Sequence, residues 1–168
     1  MRLFLVFICA LFLVGCGYSF RALDPSLRTI FIAPVKNQIK IETDYSSVDD
    51  IKKYYPNLEV FVRQKLIERF LVEGGLEVVD KPSADIKLNI TLVEYAREPV
   101  GYDNNDSVQR WRVRIGAELK LVRRDKETSK KIYGEAVYDP AVKGERFAVN
   151  SAVEDLARRI SDLVLNAW

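Results

Sequence analysis

The sequence predicts an α+β fold: a two-layer sandwich with a mostly antiparallel sheet of four to five strands and two amphipathic helices on one face. Three observations lead there. Asp85 to Tyr95 and Arg110 to Arg123 alternate apolar and polar residues with the period of a half-buried strand. Leu58 to Glu73 and Ala152 to Trp168 repeat apolar residues at helical spacing. The chain has 168 residues with 48% hydrophobic and 30% charged, which suits one domain with one core and excludes wholesale disorder.

The elements follow in order. Thr29 to Val35 (TIFIAPV) is short, apolar and rich in β-branched residues, so it reads as a strand. Pro34 lacks an N–H and belongs at its end or on an edge. Lys36 to Asn57 is polar and irregular, and long for a connection in a small domain. In the first helix Val62, Leu66, Ile67, Phe70 and Leu71 share one face, which Leu58, Phe61 and Val72 fit less well. Gly74-Gly75 stops it, and Leu76 to Val79 is a short strand.

In the first alternating strand Ile86, Leu88, Ile90 and Leu92 point one way, and Lys87, Asn89 and Thr91 the other. Arg97 to Ser107 (REPVGYDNNDS) is expected to be a turn-rich loop. In the second, Trp111, Val113, Ile115, Ala117, Leu119 and Leu121 form the buried face, opposite Arg110, Arg112, Arg114, Glu118 and Lys120. Arg124 to Lys130 is expected to be a polar loop, and Ile132 to Tyr138 the returning strand. Ser151-x-x-Glu154 fits a capping box opening the last helix.

The N-terminus carries a different message. Twelve apolar residues, Leu3 to Val14, follow Arg2; a spanning helix needs about 20, so the run reads as a secretory signal peptide. Leu13-Val14-Gly15-Cys16 resembles the lipobox of bacterial lipoproteins, in which the cysteine is lipidated and becomes residue one. The bland alternative is an ordinary signal peptide with a chance cysteine, or a short membrane anchor. The implied organisation is a signal peptide at 1–15, a lipidated tether at 16–27 and a single domain at 28–168. Gly17 after the cysteine, in place of Asp, resembles the sorting rule for the cell outer membrane, with the domain facing the periplasm.

Cleavage would remove Arg2 and no acid, leaving a net charge of +1. It would also remove Cys9, so no disulfide is expected. The chain has no histidine, which removes Ser-His-Asp and Cys-His catalysis and His-ligated zinc. No enzyme activity, cofactor or metal site is expected. Asp44, Asp49, Asp50, Asp103 and Asp106 lack the spacing of a calcium loop. Tyr45, Tyr54, Tyr55 and Tyr102 are candidate interface anchors or a satellite packing cluster.

The candidate binding site is a basic stripe. Arg110, Arg112 and Arg114 project from one strand face about 7 Å apart, with Lys87 and Lys120 on the same open face. Arginine's planar fork pairs with phosphate or carboxylate, so an anionic partner is one reading. A solvated face whose charges resist aggregation is the other. An extracytoplasmic location argues against nucleic acid.

The order of these pieces resembles a known family. Cys16-Gly17-Tyr18 follows the lipobox, and Ile32-Ala33-Pro34-Val35-Lys36-Asn37 resembles a strand ending in a proline turn. Leu58-Glu59 opens a helix closing at Phe70 and Gly74; Ala84-Asp85 and Trp111-Arg112-Val113 open strands; an amphipathic helix ends the chain. This is similar to the lipopolysaccharide-assembly lipoprotein family, LptE. The resemblance implies an outer-membrane lipoprotein that plugs a β-barrel lipopolysaccharide translocon (LptD-like), assists its assembly and binds lipopolysaccharide. The alternative is an outer-membrane lipoprotein that activates peptidoglycan synthesis or serves another secretion system.

Overall fold

The computed structural model describes residues 27–39, 55–73, 75–104, 107–124 and 126–166. Its elements are β1 (Thr29–Ile32), β2 (Lys36–Asn37), α1 (Leu58–Glu73), β3 (Glu77–Val78), β4 (Ile86–Tyr102), β5 (Val108–Arg123), β6 (Lys126–Tyr138) and α2 (Glu145–Asn166). The six-stranded sheet runs β3-β1-β4-β5-β6, with β2 also paired to β4. Pairs β4–β5 and β5–β6 are antiparallel, while β1 and β2 run parallel to β4, and β1 parallel to β3. The expected α+β sandwich is therefore present, with a parallel edge added to its antiparallel meander.

β1 and β2 are one strand interrupted. Ile32 pairs with Leu88 and Lys36 with Thr91, so four steps on one side match three on the other. The extra residue falls at Ala33-Pro34-Val35, where Pro34 has no N–H to donate. Asp85 fastens the start of this edge: its carboxylate accepts from the N–H groups of Arg28 and Thr29, both at 3.0 Å, and from the Thr29 hydroxyl at 2.8 Å. These donors hold the Asp85 carboxyl below its ordinary range, the Arg28 amide contributing most.

The core lies between the sheet and both helices. Ile86, Leu88, Ile90 and Leu92 from β4 and Val113, Ile115, Ala117, Leu119 and Leu121 from β5 are buried, as their alternation predicts. α1 has its predicted limits, and Gly75 beyond its end adopts φ 88°. Its buried row is Leu58, Val62, Leu66 and Phe70, a strict i, i+4 series. Leu71, expected inside, is 67% exposed because this row leaves it on the far side.

Three expected boundaries shift. Arg97 to Tyr102 continues β4, and Lys126 to Lys131 belongs to β6; in both segments the neighbouring strand satisfies backbone groups that turn-forming residues alone would not. α2 begins at Glu145, so Ser151 and Glu154 sit inside it and form no capping box. Ala148 and Val149 extend the buried stripe of Ala152, Val153, Leu156 and Ile160 backwards by one turn. The signal peptide, the lipobox, Cys16, Asp44, Tyr45, Asp49, Asp50, Tyr54, Gly74, Asp106 and Trp168 lie outside the described residues.

Candidate functional site

The open face of β4, β5 and β6 carries the predicted basic residues, and a β-bulge decides what they meet. Leu92 pairs with Ala117 but Glu94 with Gly116, so Val93 is an extra residue on β4. A strict period of two would turn Glu94 into the core after Leu92. The bulge reverses the parity, sending Glu94 to the open face and Tyr95 and Arg97 beneath the helices.

Glu94 and Glu98 then flank Arg114. The Arg114 guanidinium donates to Glu94 at 2.8 Å and pairs with Glu98 at 3.0 Å. The Glu94 hydrogen bond raises the Arg114 pKa further above its already basic value. Lys131 reaches Glu94 at 3.5 Å, and Arg112 lies 4.0 Å from Glu135. Tyr133 stands between the cations, its ring 5.8 Å from the Arg114 guanidinium and 5.1 Å from the Lys131 amine. Gly116 makes room for it: a Cβ there would meet the Glu94 Cβ at 2.8 Å and the Tyr133 ring at 3.1 Å.

The five predicted residues thus share a face but not one cluster. Arg112 and Arg114 lie together within a carboxylate network. Lys120 pairs with Glu127 at 2.7 Å. Lys87 and Arg110 make no ion pair among the described residues and lie at opposite ends, at β4 positions 87 and 101, roughly 45 Å apart along the strand. On this face Lys87, Arg110, Arg112, Arg114, Lys120 and Lys131 stand among Glu94, Glu98, Glu118, Glu127 and Glu135, so it is patterned rather than uniformly basic. Sequence reasoning missed Glu94 and Glu98 because the bulge is invisible in one strand alone, and because Glu98 fell in the expected loop.

A second cluster, under the helices, was also missed. Arg97 stacks on Trp111 at 4.2 Å and pairs with Glu145 at 3.6 Å. The Tyr95 hydroxyl donates to Glu145 at 3.0 Å, and burial, then the Glu145 charge, pushes its pKa upward. These contacts tie the first turn of α2 to the far end of the sheet. On the opposite flank an open groove of about 580 Å³ runs between α1 and the β1–β2 turn, lined by Pro34, Val35, Val60 and Ile67 and rimmed by Glu59, Arg63 and Glu68. No described helix is long and apolar enough to cross a membrane.

A family model described as lipopolysaccharide-assembly, LptE, matches residues 27–164, most of the chain. The chain belongs to the LptE family. It is accordingly a lipoprotein of lipopolysaccharide assembly associated with the outer membrane, in a family that is not enzymatic. No curated protein gives a significant match. Among solved structures, protein XCC0632 from Xanthomonas campestris is similar at 12% identity and TM-score 0.54, covering 87% of this chain and 88% of that one. The hypothetical protein CT253 from Chlamydia trachomatis is similar at 11% identity and TM-score 0.52, covering 83% and 96%. A minor lipoprotein from Acinetobacter baumannii is similar at 11% identity and TM-score 0.50, covering 85% and 95%. At these identities the likeness is one of fold.

Proposed function

We propose that this chain is anchored at the outer membrane through lipid on Cys16, after loss of residues 1–15. There it partners a β-barrel lipopolysaccharide translocon as plug and assembly factor, and binds lipopolysaccharide through Lys87, Arg110, Arg112, Arg114 and Lys120. The observation that carries this reading is the family match across residues 27–164, joined to an open sheet face that projects arginines. Family membership supports a partner in lipopolysaccharide transport; the β-barrel and the direct lipid contact are the finer steps.

Two of the five cations make no ion pair among the described residues. Lys87 and Arg110 need lose no carboxylate to meet a phosphate, whereas Arg114 must exchange Glu94 and Glu98. Charge-assisted contacts contribute about 1.5–3 kcal/mol each when they form. Replacing Arg110, Arg112 and Arg114 together with Gln is expected to weaken lipopolysaccharide binding at low salt, by an amount that shrinks as salt rises. Titration with circular dichroism as the folding control measures this; unchanged affinity in a folded variant would leave the stripe a solvated face. Affinity isolation from membranes is expected to recover a β-barrel with the wild-type chain. Cys16→Ala is expected to remain an unprocessed precursor, and recovery of processed, membrane-bound protein from it would remove the anchor from the proposal.

A further inference from the structure

The outer edge of β6 is half guarded and half open. Glu135 turns its N–H away from β5 and donates it to Asp155 of α2 at 3.1 Å. Above it α2 lies so close that a Cβ on Gly134 would fall 2.2 Å from the Ala152 carbonyl oxygen. The C-terminal half of the edge is thereby covered. By the alternation of an antiparallel ladder, the N–H groups of Glu127, Ser129 and Lys131 point outward as that of Glu135 does. β6 is the last strand of the sheet, and Lys126 to Lys131 is exposed throughout.

We propose that this open half-edge pairs antiparallel with the same edge of a second copy, about a two-fold axis at Ser129, so that two sheets continue as one. The register follows from the outward amides. Only odd-numbered residues present hydrogen-bonding groups, and an axis at Ser129 sets odd against odd: Ser129 against Ser129, Glu127 against Lys131 of the second copy. Charge complementarity selects this axis. Each Glu127 meets an opposite charge, and Thr128 faces Lys130, so no lysine stands directly opposite another. Within one copy Lys120 pairs with Glu127 at 2.7 Å and Lys131 with Glu94 at 3.5 Å. Across the seam these join into an alternating row of Lys120, Glu127, Lys131 and Glu94. A seven-residue pair buries less than the roughly 1,200 Å² of a standard interface, so the dimer is weak and concentration-dependent. The carboxylate that guards Glu135 shows that this edge takes an acceptor where one is supplied.

The test uses the full chain in density-matched detergent, with sedimentation equilibrium across a concentration series. The wild type is expected to dimerise. Ser129→Pro removes an outward N–H and leaves the inner ladder to β5 intact, so the variant should fold by circular dichroism and remain monomeric. Glu127→Lys and Lys131→Glu should each weaken association about tenfold, because two symmetric pairs become like-charged. An equimolar mixture of these two variants restores both opposite-charge pairs and should associate as tightly as wild type. A wild-type chain that stays monomeric at the highest concentration, a Ser129→Pro variant that dimerises unchanged, or a mixture that fails to recover would each overturn the proposal and leave the lysines as edge guards.

Discussion

The helix-covered and open faces of β5 come from the same sixteen residues and are held by different forces. On one side Val113, Ile115, Ala117, Leu119 and Leu121 vanish into packing with β4, β6 and the helices. On the other, Arg112, Arg114 and Lys120 each meet a carboxylate from a neighbouring strand. Apolar burial contributes in proportion to area and tolerates no void. Half-exposed ion pairs contribute little each, because water competes for both partners. The covered face therefore sets whether the chain folds, and the open face sets what the folded chain can exchange its carboxylates for.

Breaking the covered face should have the largest effects. Phe70 is fully buried at the end of the α1 row, and Phe70→Ala is expected to cost about 3–5 kcal/mol in chemical denaturation. Gly134→Ala comes next. Its Cβ would strike the α2 backbone and the Leu156 Cβ, at 2.5 Å, so the helix must lift, at a cost of about 1–3 kcal/mol. A Gly134→Ala melting curve matching wild type would show that α2 rests on β6 less tightly than described.

The same contrast explains what the sequence alone reveals. The limits of α1 were legible to the residue because its apolar repeat and the Gly74-Gly75 stop are both local, but its buried row was not: Leu58, read as a poor fit, is fully buried, and Leu71, expected inside, is exposed. The alternation of β4 and β5 was equally plain, since one buried face imposes a period of two. The bulge at Val93 was not legible: it exists only as a mismatch between Leu92–Ala117 and Glu94–Gly116, a property of two strands. With it went the partners of Arg114. The start of α2 failed for another reason: Ser151 and Glu154 have capping-box spacing, yet Ala148 and Val149 before them already carried the helical stripe.

Charge can also brace the fold, and Asp85 separates this role from that of the open face. Its folded carboxyl titrates below its ordinary value of 3.8, so its contribution is fully present above the unfolded pKa and is lost as pH falls through the lower folded value. Asp85→Asn should melt below wild type at neutral pH, with the gap closing as the solution is acidified past that window. A gap that persists at the lowest pH would assign the loss to the altered hydrogen bonds and not to the charge. Arg114→Ala should cost less than about 1 kcal/mol, and less again in high salt, since Arg114, Glu94 and Glu98 are all partly exposed.

The smallest effect on stability, and the sharpest division of the basic stripe, belongs to Arg110→Gln. Arg110 lies along Gly101, where a Cβ would meet its Nε at 2.9 Å, and it makes no ion pair among the described residues. Its removal should leave the melting temperature unchanged. If the open face binds lipopolysaccharide as proposed, however, Arg110→Gln should weaken binding at low salt more than Arg114→Gln does. An unpaired guanidinium offers its whole hydrogen-bonding fork to a phosphate, while Arg114 must first release Glu94 and Glu98, and that exchange returns most of what the new contact contributes. Parallel titrations of the two single variants measure the order. Equal losses would mean that the carboxylates are displaced at little cost, and a larger loss at Arg114 would move the binding centre from the far end of the strand to the Tyr133 network.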